Sequence, residues 1–240
     1  MNNYTEQAID EVKLWQKKML KKPSFTSKVT KGLQNKVNNL IPDKANIVIT
    51  GAIKNTVKVV LLGSEFTTKL PLMNVSLEKR ERLVKEKLNS YRKAAVVSGA
   101  STGAGGLLLG LADFPILLSI KIKFLFEVSS LYGFNAANYK ERLYILYIFQ
   151  LAFSSPERRS RVYLEIADWE NHARRLPEDV NSFDWRTFQQ EYRDYIDLAK
   201  MLQLVPGIGA VVGAYANYQL LDKLGETAMN TYRMRIFKDK

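Results

Sequence analysis

The sequence predicts an all-α protein, a multi-helix bundle with two glycine-rich apolar helical hairpins packed in its centre. Three observations carry this prediction. Apolar residues recur at spacings of three and four along nearly all of the 240 residues, which is the repeat of one helix face. Strand-like alternation is confined to two short stretches, Ile47 to Ile49 and Lys58 to Leu62. Small residues repeat every fourth position in two distant places, where helical backbones could approach closely. With 46% hydrophobic residues the chain can bury a sizeable core.

The elements follow in order. Ala8, Val12, Trp15 and Met19 form one stripe, with Lys13, Lys17, Lys18, Lys21 and Lys22 on other faces, so a basic amphipathic helix runs up to Pro23. Ser24 can cap a second helix carrying Phe25, Val29, Leu33 and Val37, and Asp43 a third that closes near Gly63. Ser76 introduces the charge-dense helix LEKRERLVKEKLNSYRK, whose mixed signs suit a solvated face. Its Ser76-x-x-Lys79 spacing matches a penicillin-binding nucleophile pair, but the serine stands where a helix cap belongs. Ile116 to Tyr132 reads as a long apolar helix ending in a turn at Tyr132-Gly133-Phe134-Asn135. YKERLYILYIFQLAFSS is a second apolar helix, stopped by Pro156; two polar helices fill 157–200, broken around Pro177.

Charge divides the chain at residues 93 and 94. Residues 1–93 hold 19 Lys/Arg against 8 Asp/Glu, whereas 94–240 hold 17 against 16, so nearly all of the +12 net charge belongs to the first part. The expected organisation is a basic amphipathic helical region, 1–93, followed by a glycine-rich helical core, 94–240. A basic segment of this kind seeks phosphate, on lipid headgroups or nucleic acid. Lysine dominates it, with no nucleic-acid-binding motif, so no specific nucleic-acid partner is expected. The absence of cysteine rules out disulfides, zinc–thiolate sites and a cysteine nucleophile. The first twenty residues interleave charge with apolar residues, unlike a secretory signal, which predicts a cytoplasmic protein.

The stretch VSGASTGAGGLLLGLADFPILLSI is the most unusual. It fails as a phosphate loop, because Gly106 is followed by Leu107-Leu108-Leu109 where a Walker motif needs Lys-Ser/Thr. It spells G-x-S-x-G around Ser101, and Asp168 and the only histidine, His172, follow in the chain order of a hydrolase triad. A hydrolase acting on a lipid or acyl substrate is therefore the alternative reading, although it requires parallel strands that the pattern does not supply. Packing explains more residues. Gly99 and Gly103, then Gly106 and Gly110, stand four apart, and Gly209 and Gly213 repeat the spacing. At an offset of 104 residues Asp113 aligns with Asn217, and Ala112 with Ala216, a weak internal echo that places one polar side chain at an equivalent depth in each hairpin.

Ala94 to Ala112 and Met201 to Leu221 are uncharged over 19 and 21 residues, long enough to span a bilayer. The 12 Lys/Arg between positions 121 and 200 argue against simple spanning, as does a mean hydropathy of −0.19. Buried hairpins in a bundle are the expectation.

The glycine-rich run entering Ala112-Asp113-Phe114-Pro115, the helix reaching Tyr132-Gly133-Phe134, and Pro206-Gly207-Ile208-Gly209 with Asn217 together resemble the EcsC family over roughly Ala94 to Arg235. That family consists of bacterial proteins, some encoded beside an ABC exporter. The resemblance implies a membrane-linked setting and supplies no catalytic residue, cofactor or metal. The function expected is a non-catalytic accessory protein peripheral to the inner face of the cell membrane. It would engage anionic lipid or a membrane protein such as an ABC exporter through Lys13, Trp15, Lys17, Lys18, Met19, Lys21 and Lys22.

Overall fold

The computed structural model describes residues 3–21, 47, 51, 54–55, 58–60, 70–103, 106–154, 156–176, 184 and 209–238, with the backbone alone for 95–103, 106–114, 156–157 and 209–217. Seven helices are described over their length: α1 (Asn3–Leu20), α2 (Leu77–Gly103), α3 (Gly106–Tyr132), α4 (Tyr139–Phe153), α5 (Pro156–Ala167), α6 (Trp169–Arg175) and α7 (Gly209–Phe237). No strand occurs among the described residues, and Ile47 and Lys58 to Val60, read above as strand candidates, are helical. The second predicted helix, at Phe25 to Val37, lies outside the described residues.

Ser76 caps α2 as its position demands: its hydroxyl accepts from the Lys79 amide at 3.4 Å. Pro115 lies inside α3, where it deletes the amide that would bond back to Leu111. The turn after α3 requires glycine twice over. Gly133 has φ 90°, and a Cβ there would lie 2.9 Å from Arg80 Nη1 and 3.3 Å from the Leu72 carbonyl oxygen. Arg80 fastens that turn by donating to the carbonyls of Val75 and Leu131 at 3.0 and 2.8 Å.

Helix α4 sits in the middle. Every residue from Leu143 to Phe153 is buried, because LYILYIFQLAF has no polar face to turn outward. Asn138 caps it, accepting from the Lys140 amide at 2.9 Å, and Pro156 opens α5 at the position where a missing amide costs least. Around α4, α7 lies along α2, α2 lies along α3, and α1 crosses α7 and α5. The change in composition at residues 93 and 94 falls inside the continuous α2, and α1 shares its core with the later helices.

The glycine-rich stretches form helix ends. Gly99 and Gly103 close α2, Gly106 and Gly110 open α3, and Gly209 and Gly213 open α7. Among the described residues, no helix is long and apolar enough to cross a membrane.

Candidate functional site

The basic surface lies at the C-terminal end of the outer face of α1; Glu6, Asp10 and Glu11 are exposed on the first half of the helix. Its inner stripe, Ala8, Val12, Trp15 and Met19, is buried. The Trp15 ring stands edge-on to Tyr163 with centroids 5.9 Å apart, and the Ser160 hydroxyl donates to the Met19 carbonyl at 3.0 Å. Trp15 and Met19 therefore leave the predicted docking set: a stripe that seats α1 on the bundle cannot also face a bilayer. What faces outward is Leu14, 67% exposed, with Lys17 and Lys18 one turn on along the same helical face and exposed Lys21 just past the end of the helix. Leu20, 48% exposed, and Lys13 flank it. Lys18 pairs with Glu226 at 3.1 Å and Lys13 with Asp10 at 3.2 Å. Lys22 lies outside the described residues.

The triad alternative does not survive the local geometry. Ser101 lies within α2, where a nucleophile elbow needs a bend from strand to helix. Asp168 is exposed and accepts from the Asn171 side-chain amide at 2.9 Å. The His172 ring packs edge-on to Tyr147, 5.0 Å between centroids, and near Trp169 at 5.9 Å. Burial pulls the imidazole pKa below its ordinary value. Asp113 and Asn217 lie on α3 and α7. Among the described residues no cluster of acidic or histidine side chains is placed to hold a metal ion.

The chemistry most concentrated in the interior was not marked by any motif. Two buried arginine–carboxylate clusters hang from the last turns of α7. In the first, Arg233 donates from Nε to Glu81 Oε1 at 2.6 Å and from Nη2 to Glu81 Oε2 at 2.5 Å, a two-pronged pair. Its Nη1 reaches Glu11 of α1 at 2.7 Å. Tyr4 and Tyr132 add hydroxyl donors to the Glu81 carboxylate at 2.6 and 3.0 Å. Burial alone would lower the Arg233 pKa; the bonds and charge of Glu81 outweigh it and raise the pKa. In the second cluster, Glu141 of α4 accepts from Ser129, Tyr232 and Arg235 at 3.0, 2.7 and 2.6 Å. The Arg235 guanidinium lies 3.8 Å from the centroid of Phe134 and 4.5 Å from that of Tyr144. Stacked Tyr132 and Tyr232, 5.2 Å apart, join the two clusters. Desolvation raises both phenol pKa values well above the ordinary value.

A legible trace existed. Glu81 falls on the stripe Leu77, Glu81, Val84, Leu88, at spacings of four, three and four, so a charge occupies an apolar position. A close helix approach was also missed: a Cβ on Gly225 of α7 would lie 2.8 Å from Leu88 Cδ2 of α2.

Comparison with known proteins agrees with the resemblance. No solved structure matches this chain significantly. Protein EcsC of Bacillus subtilis (strain 168) is 45% identical over 226 residues, covering 94% of this chain and 93% of its own length. The uncharacterized protein YdbA of the same organism is 27% identical over 250 residues, covering 94% of this chain and 87% of its own. The model of the EcsC protein family matches residues 6–237. With the match running from α1 to the last turn of α7, the chain belongs to the EcsC protein family.

Proposed function

We propose that this protein is a non-catalytic accessory protein, peripheral to the inner face of the cell membrane, that docks through the outer face of α1. The observation that carries the reading is the coincidence of Leu14, Lys17 and Lys18 on the exposed face of a helix whose opposite stripe is buried, with exposed Lys21 directly after its last residue. Each lysine held near an anionic surface contributes about 1 kcal/mol, and a partly inserted leucine adds to it. With Lys18 already paired to Glu226, Lys17 and Lys21 supply about 2 kcal/mol, roughly thirtyfold in affinity, and the attraction weakens with salt.

Flotation with vesicles tests it. The protein should co-float with vesicles containing anionic phospholipid at low salt, remain behind with zwitterionic vesicles, and lose flotation on Lys17→Glu with Lys21→Glu. Failure of the wild type to co-float at low salt removes lipid as the partner. Flotation only with vesicles that carry membrane proteins would transfer the partner to one of those, an ABC exporter being the first to try.

A further inference from the structure

Arg235 does more than close the second cluster. Its side chain is 25% exposed while its partner Glu141 is 5% exposed, and two clefts meet at it. One, about 500 Å³, lies between α1, the end of α5, α6 and α7 and has mainly apolar walls, including Ile9, Val12, Ile166, Trp169, Met234 and Phe237. The other, about 420 Å³, lies between the turn after α3, α4 and α6, and is polar, with Asn135, Asn138, Lys140 and Arg174. Phe134, Trp169, Glu170 and Arg235 line both. These volumes fall in the range of small-ligand pockets, about 300–1,000 Å³.

Charge selects the ligand. Lys13, Lys140, Arg174, Arg235 and Lys238 line the two clefts against only Glu141 and Glu170. Glu170 is also engaged by Lys238 at 3.7 Å, and Glu141 already accepts three bonds. The faces of the Arg235 guanidinium rest on aromatic rings, and among the described residues it donates to Glu141 through Nη1. Its remaining N–H groups are the donors that a carboxylate or phosphate accepts side-on.

We infer that the paired clefts form a binding site for a small anionic amphiphile, a fatty carboxylate or an alkyl phosphate monoester. The head lies against Arg235, Lys140 and Arg174, and the tail lies along Trp169, Met234 and Phe237. Lys13 borders both this site and the outer face of α1, but Arg235, Lys140 and Arg174 are not shared with Lys17 and Lys21, so membrane docking and ligand binding can fail independently.

Titration calorimetry on the full chain, without vesicles or detergent, tests this with octyl phosphate and octanoate below their micelle concentrations. Saturable one-to-one binding is expected, with whichever head binds more tightly naming the natural class. Inorganic phosphate and octanol, each carrying half of the recognition, should bind at least about tenfold more weakly. Lys140→Glu with Arg174→Glu changes only exposed side chains and should weaken binding by about tenfold or more. Arg235→Lys keeps a cation beside Glu141 and should weaken it similarly, with circular dichroism confirming the fold. No binding by the wild type, octanol binding as tightly as octyl phosphate, or affinity unchanged in both variants would each overturn the site.

Discussion

Arg233 and Arg235 stand on either side of one residue of α7, and each closes on a carboxylate from a distant helix. Around Arg233 the closure is complete: its side chain is 5% exposed, that of Glu81 is 0% exposed, and α1, α2, α3 and α7 all contribute to the cluster. Around Arg235 it is partial, with aromatic rings in place of further acceptors and an edge left open to two clefts. The same pair of groups therefore serves a different end according to how much water reaches it. A fully enclosed pair fixes how helices sit; a half-open one keeps recognition capacity.

The largest expected effect tests the enclosed side. Glu81→Gln keeps the shape and removes the charge that compensates buried Arg233, so urea denaturation should show a loss of about 3–5 kcal/mol. Glu141→Gln should cost less, about 2 kcal/mol, because Arg235 retains solvent and ring contacts. Equal losses in the two variants would end the distinction drawn here.

A buried cation shifted by desolvation alone sharpens it further. Lys121 is buried, donates to the Leu117 carbonyl at 3.4 Å, and has its pKa pulled down to about 8. Its unfolded value is near 10.4, so between those pH values the unfolded chain binds more protons and stability rises with pH. Lys223, pulled down to about 7 by burial, acts in the same sense, so the unfolding free energy from urea denaturation should increase from pH 8 to 9.5 by on the order of 1 kcal/mol for each lysine, and Lys121→Met should remove about half of that rise. Above pH 10 the raised phenols Tyr132 and Tyr232 act in the opposite sense: their contribution is present below the unfolded value and lost above it. Arg233, raised rather than lowered, should add no slope in this window.

The smallest effect probes an uncharged contact between the same two helices. Gly225→Ala gains about 0.5–1 kcal/mol of helix preference, but its methyl meets the flexible end of Leu88, and overpacking costs about 1–3 kcal/mol. A net loss of about 0.5–1 kcal/mol is expected from thermal unfolding. In a Leu88→Val background the loss should shrink or reverse.

What was legible in the sequence was local. The stripe Ala8, Val12, Trp15, Met19 is buried at all four positions, Ser76 caps the helix it precedes, and Gly133 makes its turn. Each of these depends on residues within a few positions. The use of Trp15 and Met19 was misjudged because periodicity shows that a face is apolar without showing what covers it. Glu81 was hidden in a run read as solvated, since its partner Arg233 lies 152 residues away. The clefts around Arg235 draw on α1, the turn after α3, α4, α5, α6 and α7, and no spacing in the chain records that they meet.

The way α7 completes both clusters also bears on how the molecule is made. Glu81 and Glu141 are synthesised long before the arginines that receive them, so a nascent chain must hold two carboxylates and the apolar α4 without their final covering. Assembly of the centre waits on the last helix. A ribosome-tethered intermediate lacking the closing turns of α7 should thus be protease-sensitive and prone to chaperone capture, even with the earlier helices already wound.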